Sequence, residues 1–265
     1  MTVGPLATFR VGDLTVTPFV LGEIVETPRD WFADAPATVP AGQVRMPVIC
    51  LHVAGEGCSV LVDACDPARY SGLGSGSTTI HTALDAAGIA PDAISHVILT
   101  HGHHDHFCGV WDDSVDRPSF PGARHVLSSQ EWSKDTLTQA AQFADGPAAD
   151  PRPLEALYQV GLLDFDASAT ALPPEITLLE APGETKGHRV VRLTSQSQNF
   201  FFLADLFHVP AELADFGLCP TWAESHALVT NRNTIAGLIQ QSGGTFMCSH
   251  IGDVLSAGEL RGKQG

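Results

Sequence analysis

The sequence predicts an α/β protein with a large apolar core. Its 265 residues are 44% apolar and 17% charged, which fits one large α/β domain or two small ones. Short runs rich in β-branched residues alternate along the chain with segments whose apolar residues have helical spacing. Histidine or aspartate follows several of these runs, and open α/β sheets place their ligand sites at strand ends.

The N-terminal region predicts an antiparallel strand pair followed by a long loop. Residues 8–25 alternate weakly between apolar and polar, with a turn signal at Gly12 and Asp13. Residues 27–42 are rich in Pro and Ala and include Trp31. Such an apolar loop either shapes a substrate site at a pocket mouth or only packs across the domain.

A second hairpin ends at an acidic residue. Residues 47–53 and 58–63 are strand-like runs that flank a glycine-containing turn. A carboxylate at the end of a buried strand is costly unless it is paired or hydrogen-bonded. Asp63 therefore either caps a turn or accepts a hydrogen bond from a metal-binding imidazole and orients its ring.

The middle of the chain predicts helices and strands in alternation. Residues 77–87 have helical spacing with Gly88 as the stop signal, and residues 96–100 form a short buried strand. A further strand is predicted at 124–128, with a helix from Ser129 to about Phe143.

The C-terminal half combines a proline-rich segment with a second set of strands. Residues 146–174 contain five prolines, and we interpret them as a lid or insertion over one side of the active site within a single domain of residues 1–265. The remaining predicted elements are strands at 175–180, 190–194, 200–204 and 245–249, a helix at 231–241, and a frayed tail at 258–265.

Charge and cysteine content predict the compartment and exclude some partners. The net charge of −16 argues against binding of nucleic acid or of anionic membranes, and leaves a small molecule as the expected substrate. The six cysteines form no C-x-x-C pair. Residues 1–10 lack the basic region followed by an apolar region that is typical of a signal peptide. We therefore expect a cytoplasmic protein. A homodimer is an open possibility for its oligomeric state.

The most informative motif directly follows the predicted strand 96–100. Within six residues it places four side chains that bind divalent cations: His101, His103, Asp105 and His106. The alternative is a histidine-rich surface loop. Further candidate ligands follow other strands or a glycine-rich loop: His188, Asp205 and His250. Their repeated position at strand ends predicts one shared metal site.

These residues, in this order, resemble the motifs of the metallo-β-lactamase-fold superfamily: His101-x-His103-x-Asp105-His106, Pro-Gly-x-x-x-Gly-His188, Ala-Asp205 and Ser-His250. The resemblance implies a four-layer αββα sandwich with two metal ions at one edge of its sheets. It also implies that His101, His103 and His188 bind the first metal ion, that Asp105, His106 and His250 bind the second, and that Asp205 bridges them. Zinc is the default metal, with Mn, Fe or Co compatible.

Several branches of the superfamily have features that this sequence lacks, and these differences narrow the choice of branch. An aspartate at position 205 differs from the antibiotic-destroying zinc β-lactamases, and no basic helical extension of the glyoxalase II kind follows His250. Persulfide dioxygenases use one iron, whereas all the second-metal ligands are present here. The sequence looks most similar to the lactonase and methyl-parathion-hydrolase-type branch. In the N-acyl-homoserine lactonases of that branch, a tyrosine that assists the substrate carbonyl stands where this chain has His208. This difference argues against specificity for homoserine lactones and leaves open which class of ester is the substrate.

By this resemblance the protein is a lactone or ester hydrolase. Two metal ions would acidify a shared water to a pKa of about 7, so hydroxide could attack a carbonyl or phosphoryl group. Asp105 is the candidate proton acceptor and His208 a candidate hydrogen-bond donor to the substrate; His208 could equally be an ordinary loop histidine. Alternatives are phosphotriester, aryl ester or β-lactam hydrolysis, iron redox chemistry, and a non-catalytic binding protein. The aromatic residues considered as pocket lining or core are Phe107, Trp111, Phe207 and Trp222.

Overall fold

Two β-sheets form the centre of the fold in the computed structural model, which describes residues 3–66, 76–132, 150–165 and 171–262. The first sheet contains β1 (Gly4–Pro5), β2 (Phe9–Val11), β3 (Leu14–Glu26), β4 (Val44–Gly55), β5 (Cys58–Val62), β6 (His96–Ile98), β9 (Arg124–Val126) and β10 (Leu163–Asp164). A short hairpin outside it pairs β7 (Trp111–Asp112) with β8 (Arg117–Pro118). The second sheet contains β11 (Ile176–Glu180), β12 (Arg189–Ser195), β13 (Gln198–Phe202), β14 (Thr245–Met247) and β15 (Leu255–Ser256).

Strand directions bring the polar strand ends to one edge. In the first sheet β5, β6, β9 and β10 are parallel neighbours, so their carboxyl ends lie on the same side. In the second sheet β13 and β14 are parallel, while β12 is antiparallel to β13. The beginning of β12 therefore lies beside the ends of β13 and β14. Two backbone hydrogen bonds join the sheets at this edge, from Arg189 to Thr100 (2.9 Å) and from Ile49 to Ser249 (3.2 Å).

Three apolar clusters separate four layers and confirm the predicted αββα sandwich. Period-two alternation in the strands sends Val60 and Phe202 into the cluster between the sheets, and sends Leu61 and Phe201 to the outer faces. The outer face of the first sheet packs against α1 (Ile80–Ala86) and α3 (Arg152–Gln159), and that of the second against α5 (Ser225–Ser242). Two short helices, α2 (His104–Phe107) and α4 (Pro210–Ala214), lie near the sheet edge.

The longest helix begins earlier than its apolar spacing predicts. α5 starts six residues before the predicted Asn231, because the Glu224 carboxylate caps it by accepting hydrogen bonds from the amides of His226 (3.2 Å) and Ala227 (2.7 Å). Its end is close to the prediction. Gly243, with φ of 61°, adopts the left-handed conformation that terminates helices.

The structure confirms both predicted hairpins and α1, but the helix predicted from Ser129 is wrong at its start. Residues Ser129–Glu131 form only one 3₁₀ turn, and Trp132 is extended with φ of −115° and ψ of 102°. Ser128 rather than Ser129 caps the turn through a hydrogen bond from the Gln130 amide. The remainder of the predicted helix, residues 133–143, lies outside the described residues.

The proline-rich segment contributes to the first sheet in the part that is described. Leu154 and Leu157 of α3 are buried in the cluster beneath that sheet, and β10 pairs with β9. Residues 146–149 and 166–170 lie outside the described ranges. The assignment of 146–174 as a lid, like that of one domain over residues 1–265, stays a prediction.

Five of the six cysteines are buried and all six are free thiols. Cys65 and Cys108 approach each other closely, with their sulfur atoms 3.8 Å apart. Among the described residues, no helix combines the length and apolar character that crossing a lipid bilayer requires.

Candidate metal centre

Asp63 organises the first part of the centre. It follows β5 with φ of 61°, a left-handed conformation that aspartate tolerates better than most residues. Its carboxylate accepts hydrogen bonds from the Thr100 amide (2.8 Å), the Thr100 hydroxyl (2.9 Å) and Nδ1 of His106 (2.8 Å). Of the two interpretations of Asp63, the structure therefore favours the one in which it orients an imidazole ring.

Three of the predicted ligand histidines have their rings fixed in the same way. Nδ1 of His106 donates to Asp63, Nδ1 of His250 donates to the Pro47 carbonyl (2.8 Å), and Nδ1 of His188 lies 3.2 Å from the Ala181 carbonyl. When such a ring is neutral with its proton on Nδ1, its lone pair lies on Nε2. This is the tautomer that metal coordination through Nε2 requires.

Two groups of side chains at this edge could each bind a metal ion. In each group the candidate ligand atoms lie within 4.8 Å of one another. The first group contains His101, His103, Glu184 and Asp205. The second contains Asp105, His106 and His250. Every one of these residues except the half-buried His103 is buried.

Asp205 lies between the groups. Its Oδ2 is 3.3 Å from Nε2 of both His106 and His250, and 3.7 Å from Nε2 of His101. Asp205 Oδ1 and the Nε2 atoms of His101 and His106 are buried without a hydrogen-bond partner. Buried polar atoms are costly when unsatisfied, so converging nitrogen and oxygen lone pairs at this spacing fit bound cations. The donor set contains no thiolate.

Burial and neighbouring charges set the ionisation of these groups. Burial, together with the nearby His106 and His103, lowers the pKa of His101 well below its usual value. Burial also lowers the pKa of His188, to about 4. Burial alone would raise the pKa of Asp205, but His106 and His250 outweigh it and hold this pKa well below its usual value. His101 and His188 are thus neutral and Asp205 ionised, the forms that bind metal.

Six of the seven predicted ligands fall within the two groups. His188 is buried beside them, with its ring centroid 5.1 Å from that of His101. Its Nε2 accepts a hydrogen bond from the Asp205 amide at 3.3 Å, and it belongs to neither group. The structure therefore brings the side chains that follow the strand ends together at one edge, as a candidate metal site.

Glu184 is the residue that the sequence reasoning missed. Its Oε1 accepts a hydrogen bond from the Trp222 indole (2.7 Å) and lies 3.4 Å from both Nδ1 of His103 and Nε2 of His208. Its Oε2 is buried without a partner. An acidic residue in the loop that ends at His188 was the available signal.

His208, the other predicted catalytic residue, lies at the centre. Its ring stacks on that of His250 at 6.0 Å and 10°, and its Nε2 is 3.7 Å from Asp205 Oδ2. Burial lowers the pKa of His208, but the carboxylates of Glu184 and Glu212 outweigh burial and raise it well above its usual value. Glu212 in turn forms a fully buried ion pair with Arg232 (2.6 Å).

Aromatic side chains form one wall beside His208. Trp222 is 43% exposed, and its ring lies 5.9 Å from His208 and 5.6 Å from Trp31 of the N-terminal loop. Phe107, Trp111 and Phe207 belong to the apolar clusters, which favours the core interpretation for these three residues.

A two-sheet sandwich with histidine and carboxylate ligands converging at its edge defines a class, that of metal-dependent hydrolases. The sequence model of the Metallo-beta-lactamase superfamily matches residues 45–230, more than half of the chain, and the protein belongs to this superfamily. No curated protein matches the sequence.

Several solved structures share the fold. AidC, a dizinc quorum-quenching lactonase in complex with a product, is 19% identical with a TM-score of 0.77, over 95% of this chain and 92% of that one. The hydrolase AbOPH of the β-lactamase superfamily is 20% identical with a TM-score of 0.72, over 94% and 91%. A quorum-quenching N-acyl homoserine lactone lactonase is 15% identical with a TM-score of 0.67, over 94% and 93%. At these identities the likeness concerns the fold.

Proposed function

We propose that the protein is a dinuclear metal hydrolase that opens lactones or cleaves related carboxylic esters. The observation that carries the proposal is the pair of adjacent ligand groups around Asp205, with buried lone pairs that have no partner in the protein. The lactonases among the structures of similar fold support lactones as the first substrates to test.

The predicted ligand assignment forms part of the proposal. His101, His103 and His188 would hold the first ion, Asp105, His106 and His250 would hold the second, and Asp205 would be shared by both. Glu184 is a further carboxylate on the first side. We propose zinc as the metal, because the donors are nitrogen and oxygen, with Mn, Fe or Co compatible. When bound, two such ions supply Lewis acidity and make hydroxide available from water at neutral pH.

The protein's own residues orient the substrate and move the proton. Asp105 Oδ2, 3.6 Å from Nε2 of both His106 and His250, accepts the proton that water gives up and passes it to the leaving alkoxide. His208 donates a hydrogen bond from Nε2 to a substrate oxygen. Trp31 and Trp222 form the apolar wall against which an acyl or aryl group packs.

A substrate panel tests the proposal. Zinc-loaded protein is assayed with lactones, aryl esters, phosphotriesters and β-lactams. We expect lactone or carboxylic ester turnover, and we expect His103→Ala and Asp105→Asn to abolish it while the circular dichroism spectrum stays unchanged. The control is His226→Ala, which removes an exposed histidine of α5. Unchanged turnover in the two site variants would contradict the proposal.

Metal analysis separates the hydrolase from a redox enzyme. Protein purified without chelator should contain two equivalents of zinc and show no visible absorption. One equivalent of iron with a coloured protein would instead favour redox chemistry. The proposed partners are a small ester or lactone only, without nucleic acid or membrane, and the proposed compartment is the cytoplasm; a homodimer stays a prediction.

A further inference from the structure

Glu131 lies where the two loops that carry the first-metal ligands come together. It ends the 3₁₀ turn after β9, and because β9 is the parallel neighbour of β6, that turn emerges at the same edge as His101. Its side chain is buried, with 8% of the residue exposed. Glu131 is not one of the predicted metal ligands, and it belongs to neither of the two ligand groups.

The carboxylate of Glu131 connects these loops through backbone amides. Oε2 accepts a hydrogen bond from the amide of Gly102 (3.0 Å), which lies between His101 and His103. Oε1 accepts one from the amide of Gly187 (2.5 Å), which directly precedes His188. Hydrogen bonds to an ionised acceptor are stronger than those between neutral groups, and burial strengthens them further.

Both glycines are required for this approach. A Cβ atom on Gly102 would lie 2.6 Å from Oε2 of Glu131, and one on Gly187 would lie 2.8 Å from Oε1 and 2.6 Å from the Ser128 hydroxyl. A side chain at Gly102 would therefore displace the Glu131 carboxylate, and one at Gly187 would displace this carboxylate and Ser128.

We propose that Glu131 is a positioning residue that fixes the separation of the two ligand loops and thereby the affinity for the first metal ion. This inference rests on the proposed metal centre. Metal ligands depend on the groups that hold them in place, and loss of such a group typically weakens binding about 10- to 100-fold. The second metal ion should be unaffected, since Asp63 and Pro47 orient its ligands.

The test is a titration of chelator-treated protein with Co²⁺, followed by visible absorption and by calorimetry. Wild-type protein should bind two equivalents. In Glu131→Gln the amide nitrogen would face one backbone N–H, so one hydrogen bond is lost. We expect one equivalent to bind about 10- to 100-fold more weakly, with changed absorption bands, and the other to bind as in the wild type.

Glu224→Gln is the matched control. Glu224 also accepts two backbone N–H groups, but at the exposed start of α5, and it belongs to neither ligand group. Comparable stability losses with loss of Co²⁺ affinity only in Glu131→Gln would separate positioning from general stabilisation. Equal weakening of both ions, or of neither, would overturn the inference while the metal centre stands. A wild-type protein that binds no Co²⁺ would contradict the proposed function and this inference together.

A double variant gives a second measurement. Gly102→Ala should weaken the first equivalent when Glu131 is present, because the methyl group displaces the carboxylate. In a Glu131→Ala background that space is empty, so the same Gly102→Ala change should cost little further affinity. Additive losses in the two backgrounds would show that Gly102 acts independently of Glu131 and would overturn the inference.

Discussion

Replacement of Asp63 by Asn tests whether a residue that binds no metal controls the second ion. Asparagine has the same size and tolerates the left-handed conformation at φ of 61°, so the backbone should not change. If its oxygen keeps the hydrogen bond from the Thr100 amide, its nitrogen replaces Oδ2 and faces Nδ1–H of His106. Two donors then meet, and the bond that fixes the imidazole is lost.

The size of the effect follows from the bond that is removed. A hydrogen bond to a charged group contributes about 1.5–3 kcal/mol. If the lost hydrogen bond is what holds the His106 ring in its metal-binding orientation, the affinity for the second ion falls about 10- to 100-fold. About 1.4 kcal/mol corresponds to a factor of ten. Competition between the protein and a chromophoric zinc chelator measures this affinity, and urea unfolding of the metal-free protein measures the stability change separately.

Asp112→Asn is the matched control for this experiment. Asp112 also accepts a backbone amide (2.9 Å) and a hydroxyl (2.6 Å), both from Ser114, but lies in the β7–β8 hairpin. It should leave zinc affinity unchanged. Zinc affinity in Asp63→Asn equal to that of the wild type would refute the claim that Asp63 sets the orientation of His106.

Two further predictions concern stability. Arg232→Met should lower the free energy of unfolding by about 3–5 kcal/mol, measured by urea unfolding. It leaves Glu212 buried without its ion-pair partner and three backbone carbonyls without a donor. A loss below about 1 kcal/mol would contradict this. Burial lowers the pKa of His125 from its usual 6.5 to about 4. Between these values the unfolded chain binds a proton that the folded protein refuses, so the free energy of unfolding falls as pH decreases from 6.5 to 4, by about 3 kcal/mol at most. His125→Leu in metal-free protein should reduce this pH dependence, and an unchanged slope would refute the assignment; the exposed His226→Leu is the control.

Some of the centre was predictable because its ligands are close in sequence. His101, His103, Asp105 and His106 follow one strand within six residues, so a local motif brings them together. Strand runs and the turn at Gly12 were likewise visible as local patterns.

Other features depend on contacts between distant segments. Asp63 could be read in two ways until pairing of β5 with β6 placed it against Thr100. Glu184 gains its place through Trp222, 38 residues away. The turn at Glu131 looked helical because its residues have local helix signals, yet its carboxylate binds two loops that no local pattern connects.

The sequence by itself determined the ligand chemistry and the placement of the ligands at strand ends, because spacing and side-chain chemistry act over a few residues; the layer type followed from the resemblance to the metallo-β-lactamase-fold superfamily. Only the tertiary structure decided which carboxylates orient, bridge or join those ligands. A buried carboxylate is stable only where donors surround it, and the packing of distant strands determines where such donors lie.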